Sequence, residues 1–201
     1  MRTKYKPWAK PFLEEHKEVQ LSEEQLKELD NIYLEIGSGK GQFLIDMAKK
    51  YPDRFFLGVE KNLTCSGIMA KKLVAEELPN AFLVNDDAEN VLNVLKAKSV
   101  NIIYLNFSDP WPKARHHKRR LTSERFNSLY KKVLKDDAYI IQKTDNIDLF
   151  EFSKENFTEQ GFEIFDIDED YQLEESDVMT EYEESFRLEG NKIYRMKVRV
   201  K

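Results

Sequence analysis

Apolar positions along the chain switch between two periods. Asn31–Gly37 runs as a strand into a glycine turn, and Phe43, Leu44, Met47, Ala48 and Tyr51 then recur at helical spacing. The same switch repeats. Phe55–Glu60 is a strand, and Ile68, Met69, Leu73 and Val74 line a helix that Pro79 and Asn80 close. Ala81–Asn85 is a short strand followed by a helix carrying Val91, Leu92 and Leu95. Val100–Phe107 is almost wholly apolar, as a strand buried on both faces would be. A polar stretch, Ser108–Leu121, breaks the rhythm before the helical stripe Phe126, Leu129, Tyr130, Val133 and Leu134. Ala138–Thr144, a helix over Ile147–Gln160, Glu163–Ile167 and a last strand in Lys192–Val200 complete the pattern. This alternation predicts an α/β fold with a mostly parallel seven-stranded sheet and helices on both faces. Ligands of such a sheet bind at the carboxyl ends of the strands, where strand order reverses. Residues 21–201 read as one domain behind a mobile N-terminal arm, residues 1–20, before a short helix that Ser22 caps with Gln25.

Composition changes this picture little. Hydrophobic residues make up 41% of the 201 and charged residues 34%, which suits a globular, soluble, cytoplasmic protein. No apolar run is long enough for a bilayer, and MRTKYKPWAKPF has no apolar stretch behind its positive charge, so it is not a secretory signal. The single cysteine, Cys65, excludes an internal disulfide and a thiolate metal cluster; it reads as a core thiol, and no metal site is expected.

Charge adds more. The net charge is −5, but residues 166–189 hold eleven acids against one arginine, Arg187, so the remainder of the chain is net positive. Lys113-Ala114-Arg115-His116-His117-Lys118-Arg119-Arg120 contains no acid, nor do the first ten residues, with Arg2, Lys4, Lys6 and Lys10. Local fields of this kind suit a phosphate backbone.

The turn after the first strand, Glu35-Ile36-Gly37-Ser38-Gly39-Lys40-Gly41, joins a strand to a helix. Dinucleotide sites usually read GxGxxG; here Gly37, Gly39 and Gly41 are spaced GxGxG, and Glu35 stands two residues before the first. An acid there fits a cationic ligand group better than a pyrophosphate. S-adenosylmethionine (SAM) has an ammonium and a sulfonium and no phosphate. Glu60 ends the second strand, where a carboxylate can take both ribose hydroxyls. Asp86 and Asp87 follow the third strand, where an acid can reach the adenine amine; spacing favours Asp87. Asp109 follows the fourth strand, facing the methyl in transit, beside a Trp111 held between two prolines as a flat wall for a base.

EIGSGKG (35–41), GVEKN (58–62), SDPWPKARHHKRRL (108–121), KTDN (143–146) and TEYEESF (180–186) span most of the chain in order. Together they resemble the bacterial tRNA (guanine-N7)-methyltransferases. The resemblance implies a class I, Rossmann-like methyltransferase sheet with a final antiparallel strand. It implies SAM contacts from Glu35, Glu60, Asp87 and Asp109, with S-adenosylhomocysteine as product. It further implies tRNA or guanine contacts from Lys113, Arg115, His116, His117, Lys118, Arg119, Arg120, Asp145, Thr180, Glu181, Tyr182 and Glu183, with a guanine of the variable loop as target.

Guanine N7 has a lone pair and no proton, so methylation there needs alignment and charge stabilisation rather than a general base. Asp109 or Asp145 is expected to stabilise the purine cation as a catalytic carboxylate. Competing readings are a SAM-dependent methyltransferase acting on another RNA atom and a SAM- and RNA-binding protein without catalysis; a nicotinamide-dependent dehydrogenase has the wrong loop spacing. Monomer and homodimer both stay open.

Overall fold

The computed structural model describes residues 3–201. Met1 and Arg2, part of the expected arm, lie outside the described residues. In chain order come α1 (Ala9–Glu15), α2 (Glu23–Glu28), β1 (Ile32–Ile36), α3 (Gln42–Lys50), β2 (Phe55–Val59), α4 (Leu63–Glu76), β3 (Ala81–Val84), α5 (Ala88–Val94) and β4 (Val100–Asn106). Then follow α6 (Glu124–Val133), β5 (Leu134–Thr144), α7 (Ile147–Glu159), β6 (Phe162–Asp168), α8 (Glu181–Leu188) and β7 (Tyr194–Val200). The described strands form one sheet in the order β3-β2-β1-β4-β5-β7-β6. β1 to β5 are parallel, and β7 runs antiparallel between β5 and β6. The expected mostly parallel sheet with a final antiparallel strand is present.

Strand side chains alternate between two cores, as period-2 geometry requires. Ile103 and Leu105 of β4 meet Val91 and Leu92 of α5, Phe126 and Tyr130 of α6, and Phe150 of α7. Ile102 and Tyr104 of the same strand meet Phe43, Leu44 and Met47 of α3, Met69 and Leu73 of α4, and Leu13 of α1. Local chemistry sets the boundaries. Ser22 and Gln25 form the reciprocal capping box of α2. The Asn62 side chain accepts from Thr64 and Cys65 N–H at the start of α4. Cys65 is buried, as a core thiol should be.

Three segments depart from the simple alternation. β5 begins at Leu134, four residues before the apolar run, because Leu134 pairs with Val100 and a register shift then brings Tyr139 opposite Ile102. The N-terminal segment carries a helix: α1 buries Ala9 and Leu13, and Ala9 lies so close to Gly67 that any Cβ there would sit 2.6 Å from that of Ala9. The acidic stretch contains α8, which Thr180 caps by accepting from Glu183 N–H. No helix among the described residues is long and apolar enough to cross a membrane.

Candidate active site

Strand order reverses between β1 and β4, so the crevice opens where Glu35, Asn106 and the glycine turn meet. Gly37, Gly39 and Gly41 all take positive φ, at 77°, 55° and 78°. A Cβ on Gly41 would sit 2.4 Å from Met69, whereas nothing lies within 4 Å of one on Gly37 or Gly39. The turn is therefore packed at its helix end and open at its crest.

Glu35 is 3% exposed. Its Oε1 accepts from the Asn106 amide at 3.0 Å, and among the described residues its Oε2 has no hydrogen-bond partner. Burial pushes the carboxyl up to about 7, against the opposing pull of the Asn106 amide and the Lys143 charge. Asn106 Oδ1 and Ser108 Oγ, at and just beyond the end of the neighbouring strand, are also buried and, among the described residues, unpartnered. Orphaned polar atoms this deep are costly unless a ligand completes them. The carboxylate suits an ammonium and the others suit polar donors, so the cradle fits the amino-acid end of SAM.

Glu60 accepts from Gly39 N–H at 2.9 Å and from Asn62 N–H at 2.7 Å, tying the turn to the start of α4. A carboxylate has about four acceptor positions, so two remain for hydroxyls. Asp87 is the N-cap of α5, where it accepts from Glu89 N–H, and it is exposed. Asp86 already accepts twice through Oδ1, from Asp87 N–H and the Asn90 amide. Asp87 is the less committed of the two.

The segment after β4 is conformationally unusual. Phe107 and Trp111 sit at φ 49° and 41°, a region bulky residues rarely adopt. Arg120 holds this turn from beneath. It is 4% exposed and donates from Nε to the Pro110 carbonyl at 2.7 Å, with its guanidinium 4.2 Å from the Phe152 ring centroid. The Trp111 indole has Arg119 on its face at 4.9 Å and the His116 ring edge-on at 5.7 Å. Lys113, Arg115, Lys118 and Arg119 are exposed, while His116 and His117 are half-buried along the short 3-10 helix Ala114–Arg119. His117 packs on Phe152. The basic run thus divides into outward cations and one inward brace.

Asp109 is exposed and Asp145 half-buried, and among the described residues neither carboxylate has a protein partner within hydrogen-bonding distance. The acids of the Thr180–Glu183 motif differ. Glu181 pairs with Lys40 in the glycine turn and Lys72 on α4, both at 2.9 Å. Glu183 is fully buried, with Oε2 on Lys143 at 2.9 Å and Oε1 on Arg187 at 2.8 Å. Tyr182, 45% exposed, faces outward. Residue patterns missed three groups here: Asn106, Ser108 and Lys143. A polar residue closing an otherwise apolar strand was the available signal for Asn106.

A family model described as "Putative methyltransferase" matches residues 30–196. A curated relative from Oceanobacillus iheyensis, "tRNA (guanine-N(7)-)-methyltransferase", is 43% identical over 98% of both chains. One of the same name from Limosilactobacillus reuteri is 41% identical, again over 98% of both. Among solved structures, an antibiotic-related methyltransferase aligns with TM-score 0.65 at 18% identity, over 91% of this chain and 96% of the other. A SAM-dependent methyltransferase from Aquifex aeolicus aligns with TM-score 0.58 at 13% identity, over 97% and 98%. These structural likenesses bear on the fold, which is that of class I methyltransferases.

Proposed function

The chain belongs to the tRNA (guanine-N7)-methyltransferase family, and we propose that it transfers a methyl group from SAM to N7 of a guanine in the tRNA variable loop. The observation that carries the cofactor assignment is the unpartnered Oε2 of Glu35 at the strand-order reversal. In this reading Glu35 holds the ammonium, Glu60 the ribose hydroxyls and Asp87 the adenine amine. SAM, when bound, supplies an electrophilic methyl on a sulfonium.

The chain's own task is alignment. N7 carries no proton, so no residue has to remove one. Nucleophile and carbon must be held within about 3–3.5 Å and in line with sulfur. Asp109 and Asp145 are free to accept hydrogen bonds from the guanine N1–H and amine, and either carboxylate offsets the charge that develops on the purine. Trp111 offers a stacking surface, and Lys113, Arg115, Lys118 and Arg119 meet phosphates. Residues 21–201 act as the methyltransferase domain, with the preceding segment docked through α1.

The test uses tRNA transcripts carrying 7-deazaguanine, which has carbon in place of N7, at the variable-loop guanine. Transfer from labelled SAM is expected to vanish with that transcript and persist when the substitution lies elsewhere. Undiminished transfer to it would overturn the assignment of atom or site.

A further inference from the structure

On β5, Tyr139 and Ile141 pack into the core around α3, while Ile140 packs on the opposite face. Lys143 continues the Tyr139 and Ile141 register and therefore occupies a position built for an apolar side chain. Its side chain is 1% exposed. Lysine is almost never this buried without partners. Its ammonium meets three oxygens: Glu183 Oε2 at 2.9 Å, Asp177 Oδ2 at 2.9 Å and the Val178 carbonyl at 3.3 Å. Three donors face three acceptors, so the group has no proton left for a ligand.

All three acceptors belong to the acidic segment and the first turn of α8. Glu183 has a second cation, Arg187, but that residue lies one turn along the same helix and cannot tie it to the sheet. The other polar ties of α8 are Arg187, which donates to the Tyr171 carbonyl at 2.8 Å beyond the end of β6, and Glu181, whose pairs with Lys40 and Lys72 are partly exposed and individually weak. Phe186 packs against Phe107, which leads into the Asp109 turn, with ring centroids 5.7 Å apart. Asp145 follows Lys143 by two residues. We propose that Lys143 is a positioning residue for methyl transfer: its ammonium fixes the first turn of α8, Thr180–Glu183, beside the strand ends that carry Asp109 and Asp145. This rests on the reading that α8 and those strand ends receive the guanine.

The test compares Lys143→Met, Glu183→Gln and the double variant at pH 8.5, above the value of about 7 to which burial raises Glu35. Lys143→Met leaves the buried Glu183 carboxylate and the partly exposed Asp177 carboxylate facing a methyl group. Expected is at least a tenfold rise in KM for tRNA, at most a threefold rise in Kd for SAM, and faster amide exchange over residues 177–183. In the double variant residue 183 no longer brings a carboxylate whose Oε2 has lost its cation, so at least threefold of the KM loss should be recovered. Should Lys143→Met not fold, Glu183→Gln alone carries the test, through raised KM for tRNA at unaltered SAM affinity. Wild-type KM in the folded variants, or equal losses for SAM and tRNA with no recovery in the double variant, would overturn the proposal. A wild-type protein that labels no guanine N7 would instead overturn the functional reading.

Discussion

Glu35 at the end of β1 and Glu183 in the first turn of α8 are both almost wholly buried, yet their surroundings are opposite. Glu183 has a cation on each oxygen, Lys143 on one and Arg187 on the other. Glu35 has an amide on one oxygen and, among the described residues, no hydrogen-bond partner on the other, and burial holds its carboxyl up to about 7. A buried carboxylate with two cations serves as an anchor. One without any is the complement of a cation that arrives with a ligand. In the proposed reading the two ends of the site are built on different logic, one completed by the cofactor and the other by the chain itself.

The largest effect that can break this contrast is on cofactor affinity. Glu35→Gln should weaken SAM binding by about 100-fold, the scale of a lost buried charge pair of roughly 3 kcal/mol, without lowering Tm. Titration calorimetry and a melting curve read both, and near-normal affinity would remove the ammonium from this site. The pH dependence sharpens the point. Because the Glu35 carboxyl is raised, the free protein holds its proton between the unfolded value near 4.5 and about 7. The unfolded chain ionises in that window while the folded one does not, so folding stability falls as pH rises through it. Pairing with an ammonium needs the ionised form, so SAM affinity should fall about tenfold per pH unit below 7 and level off above it. In Glu35→Gln that slope should be absent.

Next in size is Asp145→Ala, expected to lower turnover about 100-fold, the scale of one lost electrostatic stabiliser, while SAM affinity stays within about threefold. Single-turnover transfer and SAM titration separate the two; unchanged turnover would leave Asp109 alone in that role.

Arg120→Ala should come third. It removes the brace beneath Pro110 and leaves a half-buried carbonyl unpaired, about 1 kcal/mol of stability, seen as a lower Tm and reduced turnover. The salt dependence of tRNA binding should not change. Lys118→Ala should do the reverse, at smaller cost: unaltered Tm, tRNA affinity down a few-fold and a salt slope lower by about one. Matching salt slopes in the two variants would erase the distinction between brace and outward cation.

The end proposed to hold the cofactor was legible in the sequence as a place in the fold, because backbone geometry dictates it. Glycine spacing and acids at successive strand ends follow from where a parallel sheet opens, so Glu35 and Glu60 could be named from order along the chain, and both border the crevice turn. The other end was less legible because its roles depend on which way a side chain turns. Arg120 sits in the same cationic run as Lys118, and only the fold sends one inward and the other out. Lys143 closes an apolar strand where its partners, Asp177 and Glu183, lie more than thirty residues on. α8 escaped the periodicity because its acids dilute the apolar stripe, although Thr180 three residues before Glu183 is the spacing of a helix cap. α1 was hidden by a charged and aromatic composition whose few buried positions, Ala9 and Leu13, emerge only against α4.

One measurement bears on the whole account: transfer from methyl-labelled SAM to unmodified bulk tRNA, followed by nucleoside analysis of the product. The expected result is label recovered as 7-methylguanosine, with none released from tRNA that already carries the modification. Label on any other nucleoside, or tRNA binding without transfer, would contradict it.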